Sequence, residues 1–208
     1  MVYHQYKIRR QVEEMDPPEK EQAPMTYKEY ATWPEGKRCE VLDGNIISMA
    51  PSPTPEHQSV SLQLSIEFGM HLRGKDCRVL AAPIDVYLFE DHRKGWMDEN
   101  VRNWVCPDLV VICDKNKIQK NRIVGAPDLV VEILSPATAK IDRMDKRIAY
   151  ERAGVKEYWI VDPANQVVEV YLRGTTGRLE LQGVYNRDET VSVHVLKDFV
   201  IDLRNIFQ

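Results

Sequence analysis

The letters PDLVV occur twice in this chain, at 107–111 within VCPDLVVICD and at 127–131 within GAPDLVVEIL. Leu109 to Ile112 and Leu129 to Leu134 are near-continuous apolar runs, the pattern of strands covered on both faces of a sheet. No third copy appears, so the repeat marks two neighbouring strands and not a solenoid unit. The second copy runs straight into Glu132, a carboxylate between Val131 and Ile133. Glutamate is almost never fully buried unless it is paired or bound to a metal. What neutralises Glu132 therefore constrains what the chain does.

The rest of the chain frames these two strands. Residues 1–24 are polar, mixed in charge and punctuated by Pro17, Pro18 and Pro24, which reads as a flexible N-terminal arm. Thr26 is placed to cap a short helix over Met25 to Trp33. Residues 38–50 read as a hairpin turning at Asp43-Gly44. For residues 57–72 local alternation admits a strand, but the length favours a helix. Residues 77–90 read as two strands, or one bent strand, broken at Pro83, and 91–104 as a polar loop. A basic connection of hairpin type joins the twin strands. A helix then starts at Ser135-Pro136 or Thr138 and ends at Gly154. KEYWIVDPANQVVEVYL reads as strand, turn, strand, and weaker strands follow near 179–184 and 190–201.

At 208 residues the chain is long enough for one large domain with a sizeable core, here 25–208. A net charge of -4 counts mildly against tight non-specific nucleic-acid binding but leaves room for a local basic patch. Cys39, Cys77, Cys106 and Cys113 form no CxxC pair, which predicts buried, reduced thiols. No run approaches a membrane span, and the N-terminus lacks the apolar core of a secretory signal, so a cytoplasmic protein without membrane contact is expected. Hydrolase, nucleotide-binding and zinc-protease motifs (GxSxG, the Walker loop, GxGxxG, HExxH) are absent.

Two carboxylates can meet if the twin strands lie side by side. Asp128 is on the strand of Glu132 but roughly 13 Å away along it, too far for one ion. Asp108, on the neighbouring strand, can project beside Glu132 in a suitable register. Such a pair of hard oxygen donors suits Mg²⁺ or Mn²⁺. On the following helix Asp142, Lys146 and Tyr150 share one face. Lys146 could reach the two acids from there, although from spacing alone a surface ion pair with Asp142 is the better reading.

The blocks RCEVLDGNI, PDLVVI, GAPDLVVEILSPAT, D(x3)K(x3)Y and AGVKEYWIVDP together resemble a bacterial family of endonucleases of unassigned substrate, within the PD-(D/E)XK, restriction-endonuclease-like superfamily. The resemblance spans residue 26 to the C-terminal strands. It implies an α/β (α+β) fold, a central mixed, twisted sheet flanked by helices, with Asp108 and Glu132 as metal ligands. Asp108, Glu132 and Lys146 would form the catalytic set for Mg²⁺-dependent hydrolysis of DNA phosphodiesters, and a homodimer is expected. One position departs from the superfamily: the lysine expected two residues after Glu132 is Leu134, so only Lys146, displaced to the helix, completes the set.

Glu40, His57, Asp85, Asp142 and Tyr150 are supporting candidates, and Lys115, Lys117, Lys120 and Arg122 are candidates for nucleic-acid contact. The alternative reading is a catalytically weakened nucleic-acid-binding or dimerisation module of the same fold.

Overall fold

The computed structural model describes residues 24–34, 37–47 and 53–208. The expected arm lies outside them except for Pro24. Thr26 caps helix α1 (Tyr27–Tyr30) through a capping box with Glu29. Strands β1 (Glu40–Leu42) and β2 (Asn45–Ile47) form the expected hairpin. Asp43 and Gly44 both take positive φ, 50° and 79°, as a tight two-residue turn demands.

Helix α2 (Pro55–Leu72) begins at Thr54, whose Oγ1 accepts from the His57 N–H, with Pro55 in its first turn. Its inner face is Val60, Leu64, Phe68 and Leu72, all buried. The strand-like alternation in its sequence comes from Leu62, Ile66 and Met70, which are exposed on the other side. Strands β3 (Arg78–Ala81) and β4 (Asp85–Tyr87) are separate, as the break at Pro83 suggests, and belong to different sheets. The stretch expected to be wholly loop ends in a short strand, β5 (Trp104–Val105), because Trp104 is drawn fully into the core.

The twin phrases become β6 (Leu109–Ile112) and β8 (Leu129–Ile133), antiparallel neighbours with every residue buried. Their connection holds more than a hairpin loop. It contains a 3₁₀ turn (Lys115–Lys117) and β7 (Arg122–Val124), which pairs with β4 in the second sheet. Helix α3 covers residues 139–153: Ala139–Ile141 and Arg147–Ala153 are α-helical, with a wider π turn, Asp142–Lys146, between them. It ends at Gly154 in the left-handed conformation, φ 94°. Strands β9 (Glu157–Asp162), β10 (Val167–Arg173), β11 (Leu179–Asn186), β12 (Thr190–Ser192) and β13 (Val200–Asp202) complete the chain.

The larger sheet has the order β11-β10-β9-β8-β6-β3 and is mixed, with β8 and β9 parallel. The second has the order β2-β1-β5-β4-β7. Odd-numbered residues of β8 pack with α2 in one core layer, whereas Val130 packs with Ala149 and Tyr150 of α3 in the other. This mixed α+β architecture agrees with the fold expected from the sequence. No described helix is long and apolar enough to cross a membrane.

The thiols depart from expectation. Cys39 and Cys106 are free, but Cys77 and Cys113 form a disulfide. The β3–β6 ladder pairs Arg78 with Ile112, so the two cysteines just beyond it face each other, Cα atoms 3.9 Å apart. Their 36-residue separation hides that juxtaposition in the sequence.

Candidate active site

Register decides where the acids meet. Leu109 pairs with Val131 across β6 and β8, so the next antiparallel pair is Asp108 with Glu132. By the period of two, Glu132 shares a face with Val130, the face that α3 covers. Glu132 is 3% exposed. Asp108 is held at both oxygens: Oδ2 accepts the Ile133 N–H at 2.8 Å, and Oδ1 lies 3.3 Å from His57 Nε2.

Lys146 enters this face from α3. Its Nζ lies 2.9 Å from Glu40 Oε2, 3.1 Å from Glu132 Oε1 and 3.4 Å from Asp142 Oδ1. The Asp142–Lys146 pair is thus not a surface pair; both residues are buried, because the π turn carrying them packs against the sheet. Such wide turns occur often at functional sites. Tyr150, one turn on, donates its hydroxyl to Glu132 Oε1. The Cys106 N–H donates to Glu40 Oε1 at 2.7 Å, tying β1 to the site.

Three carboxylates therefore face one ammonium, with Asp108 beside Glu132. Burial pushes the Glu132 carboxyl well above its ordinary range, offset in part by Lys146 and reinforced by Asp142, Glu40 and Asp108. Asp142 is raised for the same leading reason. For Lys146, burial pulls the ammonium down, but Glu132, Glu40 and Asp142 outweigh it and keep it charged. The His57 imidazole is likewise pulled down by burial and raised, on balance, by Asp108. Among the described residues two buried side-chain atoms lack a hydrogen-bond partner, His57 Nδ1 and Asp142 Oδ1, the latter with only the Lys146 ammonium at 3.4 Å; both residues line the same cavity, of about 670 Å³.

That cavity is also lined by Glu40, Asp108, Glu132 and Lys146. Its donors are hard oxygens with an excess of negative charge, which suits a divalent cation. Among the described residues no three His, Cys, Asp or Glu side chains are gathered as a cage; the Lys146 amine sits between three of the acids instead.

Other candidates fall elsewhere. Asp85 accepts from Tyr27 Oη at 2.6 Å and does not line the cavity. The four basic candidates do not line it either. Arg122 is 2.7 Å from Asp98, and its guanidinium lies over the rings of Tyr27, Tyr87 and Trp96, an internal packing role. Lys117 donates to the Ala126 carbonyl, Lys115 pairs with Asp76, and Lys120 is exposed. Among the cavity residues that the sequence did not mark as candidates are Arg38, two positions before Glu40 and so on the same side of an extended chain, and Cys106, whose thiol burial pushes up to about 11. The alternation Arg38–Glu40 is the signal that points to the first.

A family described as "Uma2: Putative restriction endonuclease" matches residues 27–204. The chain belongs to this family. An uncharacterized protein, slr1290, of Synechocystis sp. (strain ATCC 27184 / PCC 6803 / Kazusa) is 29% identical over 153 residues, covering 72% of this chain and 75% of its own. Among solved structures, a "putative nuclease belonging to DUF820" from Anabaena variabilis ATCC 29413 superposes with a TM-score of 0.68 at 21% identity, covering 88% of this chain and 98% of the other. The family places the chain in the restriction-endonuclease-like superfamily and supports a nuclease function in general; the structural likeness shows the shared fold.

Proposed function

We propose that the chain is a metal-dependent endonuclease that hydrolyses DNA phosphodiester bonds at the cavity between β6, β8 and α3. The observation that carries this reading is the convergence on Glu132: a buried carboxylate, paired in register with Asp108 and 3.1 Å from the Lys146 amine. Asp108 and Glu132 would hold Mg²⁺ or Mn²⁺. A bound divalent ion supplies Lewis-acid polarisation of the phosphoryl group and lowers the pKa of water. Lys146 supplies the ammonium that meets charge developing on the phosphoryl oxygens, the role the missing lysine at Leu134 would otherwise fill. Glu40 and Tyr150 position it: one binds the ammonium, the other holds Glu132. His57 and the Ile133 N–H fix Asp108.

The test is nicking of supercoiled plasmid with Mn²⁺ or Mg²⁺. Wild type is expected to nick; Glu132→Ala and Lys146→Ala are expected to lose at least about two orders of magnitude in rate. Cleavage persisting in both variants would refute this assignment. Metal binding by wild type with no cleavage of DNA would instead assign the fold to nucleic-acid binding alone.

A further inference from the structure

A second concavity, of about 470 Å³, lies at the other end of α2 from the acidic cavity. Its lining contains four cations, Arg73, Lys75, Arg78 and Lys115, against one acid, Asp76. All four cations are exposed, in a chain whose overall charge is -4. Only Lys115 is ion-paired among the described residues, 3.1 Å from an Asp76 that is itself 96% exposed. Two of the others, Arg78 and Lys75, are oriented by neutral groups. Arg78 donates to the carbonyls of Lys75 and Cys77 at 2.8 and 3.2 Å, and Lys75 Nζ lies 2.7 Å from His71 Nε2.

Cations near the end of a helix are drawn there by its dipole, which accounts for Arg73 and Lys75. It does not account for Arg78, from β3, or Lys115, from the 3₁₀ turn after β6. Three elements therefore converge on a concave, positively charged surface with little internal compensation.

We propose that this concavity is an exosite for the phosphodiester backbone of nucleic acid, holding substrate about half a helical turn from the cavity that cuts it. The proposal rests on the nuclease reading of the acidic site. The spacing follows from elements that span both places. Along β6, Asp108 to Cys113 is five steps, about 17 Å. Along α2, His57 to Arg73 is sixteen residues, about 24 Å. At ~3.4 Å per step of a duplex strand, that is about five to seven nucleotides. Lys115 acts here as part of a built surface, whereas its sequence neighbours Lys117 and Arg122 are committed to internal contacts.

The test uses full-length Glu132→Gln protein in EDTA and fluorescence anisotropy on two labelled duplexes, one of about 8 and one of about 24 base pairs. Adding Arg73→Gln, Arg78→Gln and Lys115→Gln is expected to weaken binding of the long duplex by roughly tenfold or more near 0.1 M salt, and to lower the slope of log K against log salt by about 2 to 3. Binding of the short duplex, which extends only about 14 Å to either side of a cut at its centre, should weaken by a smaller factor. A control set that removes the same charge elsewhere, Lys28→Gln, Lys197→Gln and Arg204→Gln, should leave both unchanged. Arg73→Glu, at an exposed side chain, provides a second variant should the triple change lower the melting temperature. Equal affinity and equal slope for exosite and control sets overturn the proposal while leaving the acidic site intact. Absence of saturable binding of either duplex by the Glu132→Gln protein removes the nuclease reading, and the exosite with it.

Discussion

Replacing Lys146 by methionine keeps the unbranched stem of the side chain and removes its charged end, leaving Glu40, Glu132 and Asp142 without a common counter-ion in a buried site. Breaking a buried pair in this way costs about 3–5 kcal/mol, because the surviving charge has no solvent to turn to. A divalent cation can supply the missing positive charge. Lys146→Met is therefore expected to melt below wild type without metal, and to gain more in melting temperature on adding Mn²⁺ than wild type does, although cleavage is lost. A smaller Mn²⁺-induced gain in the variant than in wild type counts against cation and ammonium sharing the same acids; differential scanning calorimetry with and without Mn²⁺ decides. Glu132 was legible in the sequence because a charge inside an apolar run has so few ways to be satisfied. Lys146 was not legible to the same degree, since i,i+4 spacing to Asp142 on its own favours a solvent-facing pair. Only the packing of α3 on the even face of β8 puts both residues out of water. Arg38 went unremarked because a cation two residues from an acid is common on any surface strand.

At the scale of elements, Glu157 shows how one buried acid joins distant segments. It opens β9, is fully buried, and accepts from Trp159 Nε1 at 2.7 Å and from the Val195 N–H at 2.8 Å, binding the C-terminal segment to the large sheet. Burial raises its carboxyl above the ordinary value of 4.5, against the lowering effect of these donors and of His194. A carboxyl raised in the folded state stabilises the fold fully below its unfolded pKa and loses that contribution as pH rises through the folded value. Wild type should therefore lose melting temperature relative to Glu157→Gln as pH climbs from about 4 toward neutrality. A difference that stays flat over that range, or widens in favour of wild type, would show that the hydrogen bonds and not burial dominate. Long elements were readable because their periodicity accumulates: α2 and α3, the twin strands and the β9–β10 hairpin all lie where patterning puts them. The misreadings were β5 and β7, of two and three residues, whose strand character comes from pairing partners remote in sequence, Val41 across from Trp104 and Val86 across from Ile123.

Over the whole molecule, the β3–β6 ladder links the two cavities. Cys77 and Cys113 are joined at its exosite end, and at the other the Ala82 N–H donates to the Asp108 carbonyl at 2.9 Å. Among the described residues β3 is an edge strand of the large sheet, with β6 its one strand partner there. A disulfide that closes a 36-residue loop restricts the unfolded chain and stabilises the fold by about 2–4 kcal/mol, less any strain in the native state. Oxidised protein should therefore unfold at higher denaturant than protein reduced by a dithiol, while Cys77→Ser/Cys113→Ser should match the reduced form and ignore the reductant. The positional consequence is separate from the energetic one. Asp108 keeps its place through the Ile133 N–H and the β6–β8 register as well as through β3, so reduction should lower stability much more than Mn²⁺ affinity. If reduction instead abolishes Mn²⁺ binding in protein still folded by circular dichroism, the edge strand, and not the β6–β8 pair, sets the geometry of the acids.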